Sequence, residues 1–278
     1  MSNYVEHNGR VAFHPSYYVK EIFEETGLSQ KDFAERLDTT PKNFSVFLKG
    51  KQRLSIDLAN KLSRMLGTSV EYWLNLQRSY DEMYAEFSSE RELQAEKEIL
   101  KLIDYKYFHD NFGLPSFLRK TEERVKALRE FLSVASLTVL MRPNLAVNFR
   151  SFSSSLSKSN IINANAMVQT AINFAIRTEA PKYNQAKFEN AVKFALTLTK
   201  KNDNFFSKIK DSFHEAGVVL IVLPNLKNSC INGATKRLGG KILLMINGRF
   251  SNTFEAVLFH ETEHILKKNL GITFNNKK

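Results

Sequence analysis

Cysteine is almost missing from this sequence. Cys230 stands alone in 278 residues, so no disulfide can form within the chain. That usage fits a reducing compartment, and the expected location is the cytoplasm. Long apolar runs are missing too. The longest, residues 218–223, is far shorter than the roughly 20 residues a membrane helix needs. The opening MSNYVEHNGRVAFHP holds no apolar core of signal-peptide type. No membrane partner is expected. Tryptophan occurs once against 22 phenylalanines, which leaves aromatic core filling to Phe. No internal repeat recurs at the roughly 20- to 50-residue periods of solenoids and propellers.

Acidic residues are outnumbered, 29 against 40 Lys and Arg, for a formal net charge of +11. A basic balance favours an anionic partner, mostly nucleic acid, although a Lys-rich proteome produces the same number. A hydrophobic share of 43% and a charged share of 25% are ordinary for a globular chain. The length allows one large domain or two modest ones.

The first hundred residues read as helices with explicit start and stop signals. SYYVKEIFEETG puts Tyr18, Ile22 and Phe23 on one face and stops at Gly27. LSQKDFAERL follows, with Ser29 as N-cap and Leu28, Phe33, Ala34 and Leu37 as the buried set. TTPKNFSVFLKG has Thr40 as cap, Pro41 in the first helical position and Gly50 at the end. SIDLANKLSRMLG repeats the logic from Ser55 to Gly67, and a further helix from Ser69 is expected to run far toward Tyr107. Residues 81–98 carry seven carboxylates against two basic side chains, a pattern that usually marks a solvated face. NFGLPS at 111–116 reads as a boundary and RSFSSSLSKSN at 150–160 as a linker. Helices resume between and after them. VVLIVL (218–223) and KILLMIN (241–247) read as strands, and a last helix begins near Ser251.

Two helices joined by a short turn, 29–37 and 40–49, make the arrangement that lays a second helix in the DNA major groove. Packing takes Phe44, Phe47 and Leu48, which leaves Pro41, Lys42, Asn43, Ser45, Val46 and Lys49 facing outward. Asn reads adenine, Lys reads guanine, and Val46 suits a thymine methyl. Gln30 sits where a phosphate contact is expected, next to the cap Ser29. Lys51 and Arg53 extend a basic cluster past the second helix. A plain helical bundle with a solvated face accounts for the same caps and glycines.

Residues 14–82 carry a resemblance that separates these readings. The opening HP, the block GLSQKDFAERL and the block LKGKQRLSIDLANKLSRMLGTSVEYWLNLQ resemble the HigA-type antitoxin branch of the Xre helix-turn-helix family. Asp38 departs from it, standing in the turn where that family usually has Gly. Asp tolerates the left-handed conformation better than most residues, so the turn is expected to survive. The resemblance implies a homodimer on a palindromic double-stranded DNA operator near its own promoter. It also implies a toxin partner, typically a ribosome-dependent nuclease.

Near the end of the sequence stands His260-Glu261-Thr262-Glu263-His264. Histidines at i and i+4 share one helical face and can bite one metal, and Glu261 would sit beside metal-bound water as a general base. Residues 215–266, with a strand ending in Pro, a small-residue INGA loop, a glycine turn, a strand ending in Asn and the His helix, resemble the ImmA/IrrE metallopeptidase family. Residues 115–214 resemble the helical region that commonly precedes such a domain. The resemblance implies zinc held by His260 and His264, with Glu261 catalytic. Its third ligand is an acid on a later helix, yet ILKKNLGITFNNKK after His264 contains no acid, histidine or cysteine. The ligand would then come from Glu255, His214, Glu215 or Cys230, none in a supporting pattern. The expectation is a degenerate site where zinc binds weakly or not at all.

The expected fold is mainly α. An N-terminal five-helix Xre-type helix-turn-helix domain with a long following helix takes residues 1–110. Residues 111–278 form a helical region and a small α+β zincin-like domain, with strands and the His helix from about residue 217. The expected function is a sequence-specific DNA-binding regulator whose C-terminal domain binds or senses a toxin or inducer protein, rather than an enzyme. Two alternatives stand beside it: a zinc metallopeptidase acting on a repressor or toxin, and a phage or genomic-island repressor released by an inducer protein.

Overall fold

The computed structural model describes residues 3–116, 119–143, 145, 156–198, 205–248 and 254–274. Most of the 150–160 linker and the expected helix start at Ser251 lie outside them. The chain is mainly helical and divides into two compact units, Met1–Glu92 and Leu93–Lys278. The division falls inside a long helix rather than at the 111–116 turn. No described helix is long and apolar enough to cross a membrane.

The first unit opens with a hairpin that the sequence reading passed over, β1 (Tyr4–His7) and β2 (Arg10–Phe13). Its turn is Asn8-Gly9, both at positive φ (50° and 73°), the conformation for which an Asn-Gly pair is the usual signal. Five helices follow: α1 (Pro15–Thr26), α2 (Gln30–Arg36), α3 (Pro41–Leu48), α4 (Ile56–Leu66) and α5 (Val70–Leu100). The hairpin is tied to α5. Arg10 donates to Glu86 at 2.8 Å and to Glu90, with its guanidinium 5.1 Å above the Phe87 ring. His7 lies 3.0 Å from Glu90.

The acidic run 81–98 is therefore not simply a solvated face. Glu86 and Glu90 hold the hairpin, Asp81 pairs with Arg53, and Glu82 pairs with Arg78. Glu96 is buried and accepts from the Leu137 N–H at 2.7 Å. α5 runs far toward Tyr107, as expected, and ends at Leu100. The Asp104 side chain accepts from the Lys106 N–H and starts a new helix, α6 (Tyr105–Phe112), which Gly113 ends at φ 73°.

The second unit continues with α7 (Thr121–Leu132), a 3-10 turn at Leu137–Met141, α8 (Lys158–Arg177), α9 (Gln185–Leu198) and α10 (Phe205–Glu215). Then come β3 (Val218–Leu223), β4 (Ile231–Leu238), β5 (Lys241–Asn247), α11 (Phe254–Leu266) and β6 (Ile272–Phe274). The four strands lie in the order β3-β5-β4-β6. β3 is parallel to β5, while β4 is antiparallel to both β5 and β6. Val219, Leu223, Leu243 and Met245 pack with α8 residues such as Val168 and Ala171. Val218, Leu220, Ile242 and Leu244 pack with Phe188, Phe213 and Leu258 from α9, α10 and α11. Both faces are covered, which is why these two strands read as continuous apolar runs and not as alternations.

The INGA stretch corrects the sequence reading: it is the start of strand β4, not a loop. Asn232 and Gly233 are poor strand formers, and the glycine is there for space. A Cβ on Gly233 would lie 2.7 Å from Glu261 Cγ and 2.9 Å from the Met245 carbonyl oxygen. Close approach of β4 to the His-bearing helix α11 requires this residue. Replacing it with alanine forces strand and helix apart. Gly233→Ala is expected to lower unfolding stability by about 1–3 kcal/mol in a denaturant melt; an unchanged midpoint would show that β4 and α11 do not meet this closely.

Candidate nucleic-acid interface

Three phenyl rings set the first helices against one another. Phe33 of α2 stacks on Phe44 of α3 at 5.0 Å and 16°. Phe23 of α1 meets both edge-on, at 5.4 and 5.9 Å. Val19, Leu37, Phe47, Leu58, Leu62 and Trp73 complete the core. With Phe44 and Phe47 turned inward, the remaining face of α3 is set by helical periodicity.

The helix ends are bonded by their own side chains. Ser29 accepts from the Asp32 N–H at 3.2 Å, and Thr40 accepts from the Asn43 N–H at 3.1 Å. Between the helices, Asp38 takes φ 51°, the left-handed conformation expected of it. The Thr39 N–H reaches back to the Ala34 carbonyl at 2.9 Å, closing α2 in the manner of a glycine C-cap. Lys61 of α4 holds this turn. It donates to the Asp38 carbonyl at 2.8 Å and lies 3.0 Å from the Asp57 carboxylate. Those partners, Asp57 first and then Asp38, push the Lys61 amine above its ordinary value.

The expected reading residues fall on this frame as follows. Pro41, Lys42, Asn43, Lys49 and Lys51 are exposed, as are the caps Ser29 and Thr40. Ser45 and Val46 are half-buried. Gln30 is half-buried as well, and its Nε2 donates to the Pro41 carbonyl at 3.3 Å. It joins the starts of α2 and α3. Lys42, Lys49 and Lys51 make no ion pair among the described residues, whereas their neighbours Lys31, Lys61 and Arg53 do. Exposed ammonium groups without an ion pair, at the start of α3 and just past its end, suit an anionic backbone. Arg53, expected to extend the cluster, is occupied by Asp81.

Sequence reasoning missed Gln77. Its Oε1 accepts from the Leu54 N–H at 2.8 Å, and its Nε2 donates to Asp81 at 2.8 Å. The loop leaving α3 is thereby fastened to α5. The partners are 23 residues apart, so no local pattern announces the bond.

The second constellation lies in the other unit. His260 and His264 share one face of α11, with Nε2 atoms 3.1 Å apart. A tetrahedral zinc with two imidazole ligands would set them about 3.3 Å apart. Glu261 is fully buried, against Gly233. Of the suggested third ligands, His214 donates to the Glu179 carbonyl at 2.6 Å and Cys230 Sγ accepts from Asn160 at 3.2 Å. No three His, Cys, Asp or Glu side chains come together among the described residues. Catalytic zinc takes three protein ligands and an open position. The described donors supply two, so they do not fit that ion and no hydrolytic step follows from them.

His14 caps α1 by accepting from the Ser16 N–H at 3.1 Å. It is buried between Phe47, at 5.6 Å, and Tyr80, at 5.0 Å. Burial pushes its imidazole below the ordinary value, against the opposing pull of Asp81. The unfolded chain therefore takes up this proton more readily than the folded one. The stability that the neutral cap contributes is present above about pH 6.5 and is lost as pH falls through the folded value.

The helix-turn-helix family matches residues 19–73. The uncharacterized HTH-type transcriptional regulator YddM of Escherichia coli strain K12 is 35% identical over 72 residues, 26% of this chain and 77% of that protein. Virulence-associated protein I of Dichelobacter nodosus is 30% identical over 80 residues, 28% of this chain and 74% of its own length. Among solved structures, a putative antidote protein of a plasmid maintenance system from Nostoc punctiforme is 28% identical. It covers 30% of this chain and 91% of that one, with a TM-score of 0.29.

Trp73 is the only tryptophan and lies in the core of the first unit, so its fluorescence reports that unit alone. On acidification from about pH 7 to pH 5, the Trp73-detected urea midpoint is expected to fall. His14→Asn, which keeps a capping oxygen, should flatten that slope. An equal slope in both proteins would remove His14 from the explanation.

Proposed function

Because this chain belongs to the family of helix-turn-helix transcriptional regulators, we propose that it is a sequence-specific DNA-binding autorepressor of the HigA antitoxin type, acting as a dimer on a palindromic operator. The observation that carries the reading is the exposed face of α3, where Asn43 and Lys42, the latter in no ion pair among the described residues, stand in the first helical turn. In the major groove, Asn43 would read adenine and Lys42 guanine. Lys49 and Lys51 would hold phosphate and supply the salt dependence. Gln30 and Gln77 would act indirectly, by fixing the ends of α3 against α2 and α5.

The second unit, on this reading, is a metallopeptidase-like domain of ImmA/IrrE type that has kept the His pair and binds a protein. A toxin or an inducer docking there would alter operator occupancy. A peptidase reading would require a third ligand beside His260 and His264. Zinc well below one per chain in protein purified without a His tag, and no change on chelation, would end it.

Operator selection from random duplexes by the full chain, followed by gel shifts at fixed salt, tests the proposal. Lys42→Ala and Asn43→Ala are each expected to weaken the selected site by about 1–3 kcal/mol and to relax specificity at one base pair. Lys51→Ala should weaken all duplexes alike and lower the salt slope by about one. Selection of no common site, or full affinity in both α3 variants, would reject α3 as the reader.

A further inference from the structure

Among the described residues, main-chain groups on the outer edge of β3 have no hydrogen-bond partner. Ile242 donates to the Gly217 carbonyl at 2.9 Å and Gly248 to the Leu223 carbonyl at 2.7 Å, the two ends of the parallel ladder with β5. Main-chain groups alternate sides along a strand. The Gly217 carbonyl and the N–H and C=O groups of residues 219, 221 and 223 therefore point at β5, and Val218, Leu220 and Val222 point theirs away. β3 is the last strand in the sheet order on that side. Among the described residues no hydrogen bond reaches Leu220 or Val222 from that direction. Leu220 is 2% exposed and Val222 is half-buried. Leaving such groups unbonded costs as much as a lost hydrogen bond.

A cleft of about 500 Å³ lies against residues 219–222. Phe174 and Thr178, at the end of α8, form one wall; Phe206 and Lys210 of α10 form the other. α8 packs on one face of the sheet and α10 on the opposite face. A cleft that touches both helices and β3 can only run along the strand's free edge.

We propose that this cleft takes an extended, uncharged segment of a partner protein, which adds to β3 as a further strand. The unbonded groups of Leu220 and Val222 repeat at strand spacing and call for a peptide backbone. The phenyl rings of Phe174 and Phe206 face where alternate side chains of that strand would point, so those side chains are apolar. Lys210 and Asp211 at the rim offset one another and select no net charge. A second copy's β3 would bring its own flanking α8 and α10 against these walls, which a lone extended segment does not. The cleft is the docking place for the protein partner of the function proposed above, and it rests on that reading.

The probe is a fluorescein-labelled heptapeptide of alternating valine and threonine, with two versions N-methylated on odd or on even residues. With the full chain, saturable anisotropy is expected for the unmodified peptide. One methylated register should bind at least about tenfold more weakly, while the other is unaffected. Equal affinity for all three peptides, or no binding below about 1 mM, overturns the proposal. Val222→Pro removes an outward N–H without breaking the β5 ladder, and should abolish peptide binding while leaving operator affinity intact. If that variant does not fold, the methylated pair decides alone. A chain dimer that Val222→Pro dissociates in sedimentation would make a second copy the occupant and overturn the assignment. No peptide binding by the unaltered chain, with operator selection preserved, removes this cleft and leaves the regulator reading standing.

Discussion

The stack of Phe33 on Phe44 at 5.0 Å governs the first unit. It presses α2 against α3, and Phe47 three residues on fixes the rotation of α3 about its axis. Once that rotation is set, the exposed face carrying Lys42, Asn43 and Lys49 has no freedom left. The polar contacts then secure what packing has placed. Gln30 bonds the start of α3, Gln77 bonds the loop after it, and Lys61 bonds the turn before it. Each spares a main-chain group from being buried without a partner or a turn from opening, which is worth about 1 kcal/mol apiece. A reading surface depends on such fastening, because base recognition tolerates little misplacement.

The second unit is governed by a different constraint. A parallel β3–β5 pair must be covered on both faces, and α8 on one side with α9, α10 and α11 on the other meet that demand. Covering both faces has two consequences at the rim. β4 must come so close to α11 that only glycine fits at position 233. β3, walled by α8 and α10, keeps a row of main-chain groups facing a cleft. The His pair sits on the same α11 that Gly233 admits, so sheet packing and the spacing of His260 and His264 belong to one arrangement.

Much of this was legible because it is local. Ser29, Thr40 and Ser55 announced their helices through capping, and all three side chains accept the expected backbone N–H groups. Asp38 was read as a left-handed turn residue and is one. VVLIVL and KILLMIN were read as strands from composition, and their bounds agree with β3 and β5. The misreadings have physical causes. The Asn8-Gly9 hairpin signal was present, but its strands are too short and polar to stand out. INGA, the start of β4, was taken for a loop because Gly233 answers to a helix far along the chain and not to strand propensity. The acidic face of α5 looked solvated because the cations that neutralise it, Arg10 and Arg53, are remote in sequence.

The sequence by itself determined where many of the helices begin and end, which residues of α3 face outward, and that His260 and His264 share a helical face. Those properties follow from bonds and periodicities spanning a few residues. Among the described residues, tertiary structure alone decided which lysines stay unpaired, that Gln30 and Gln77 brace α3, that no third ligand joins the His pair, and that β3 ends its sheet. Those outcomes depend on which groups meet across tens of residues. Packing selects such meetings, and no local pattern encodes them.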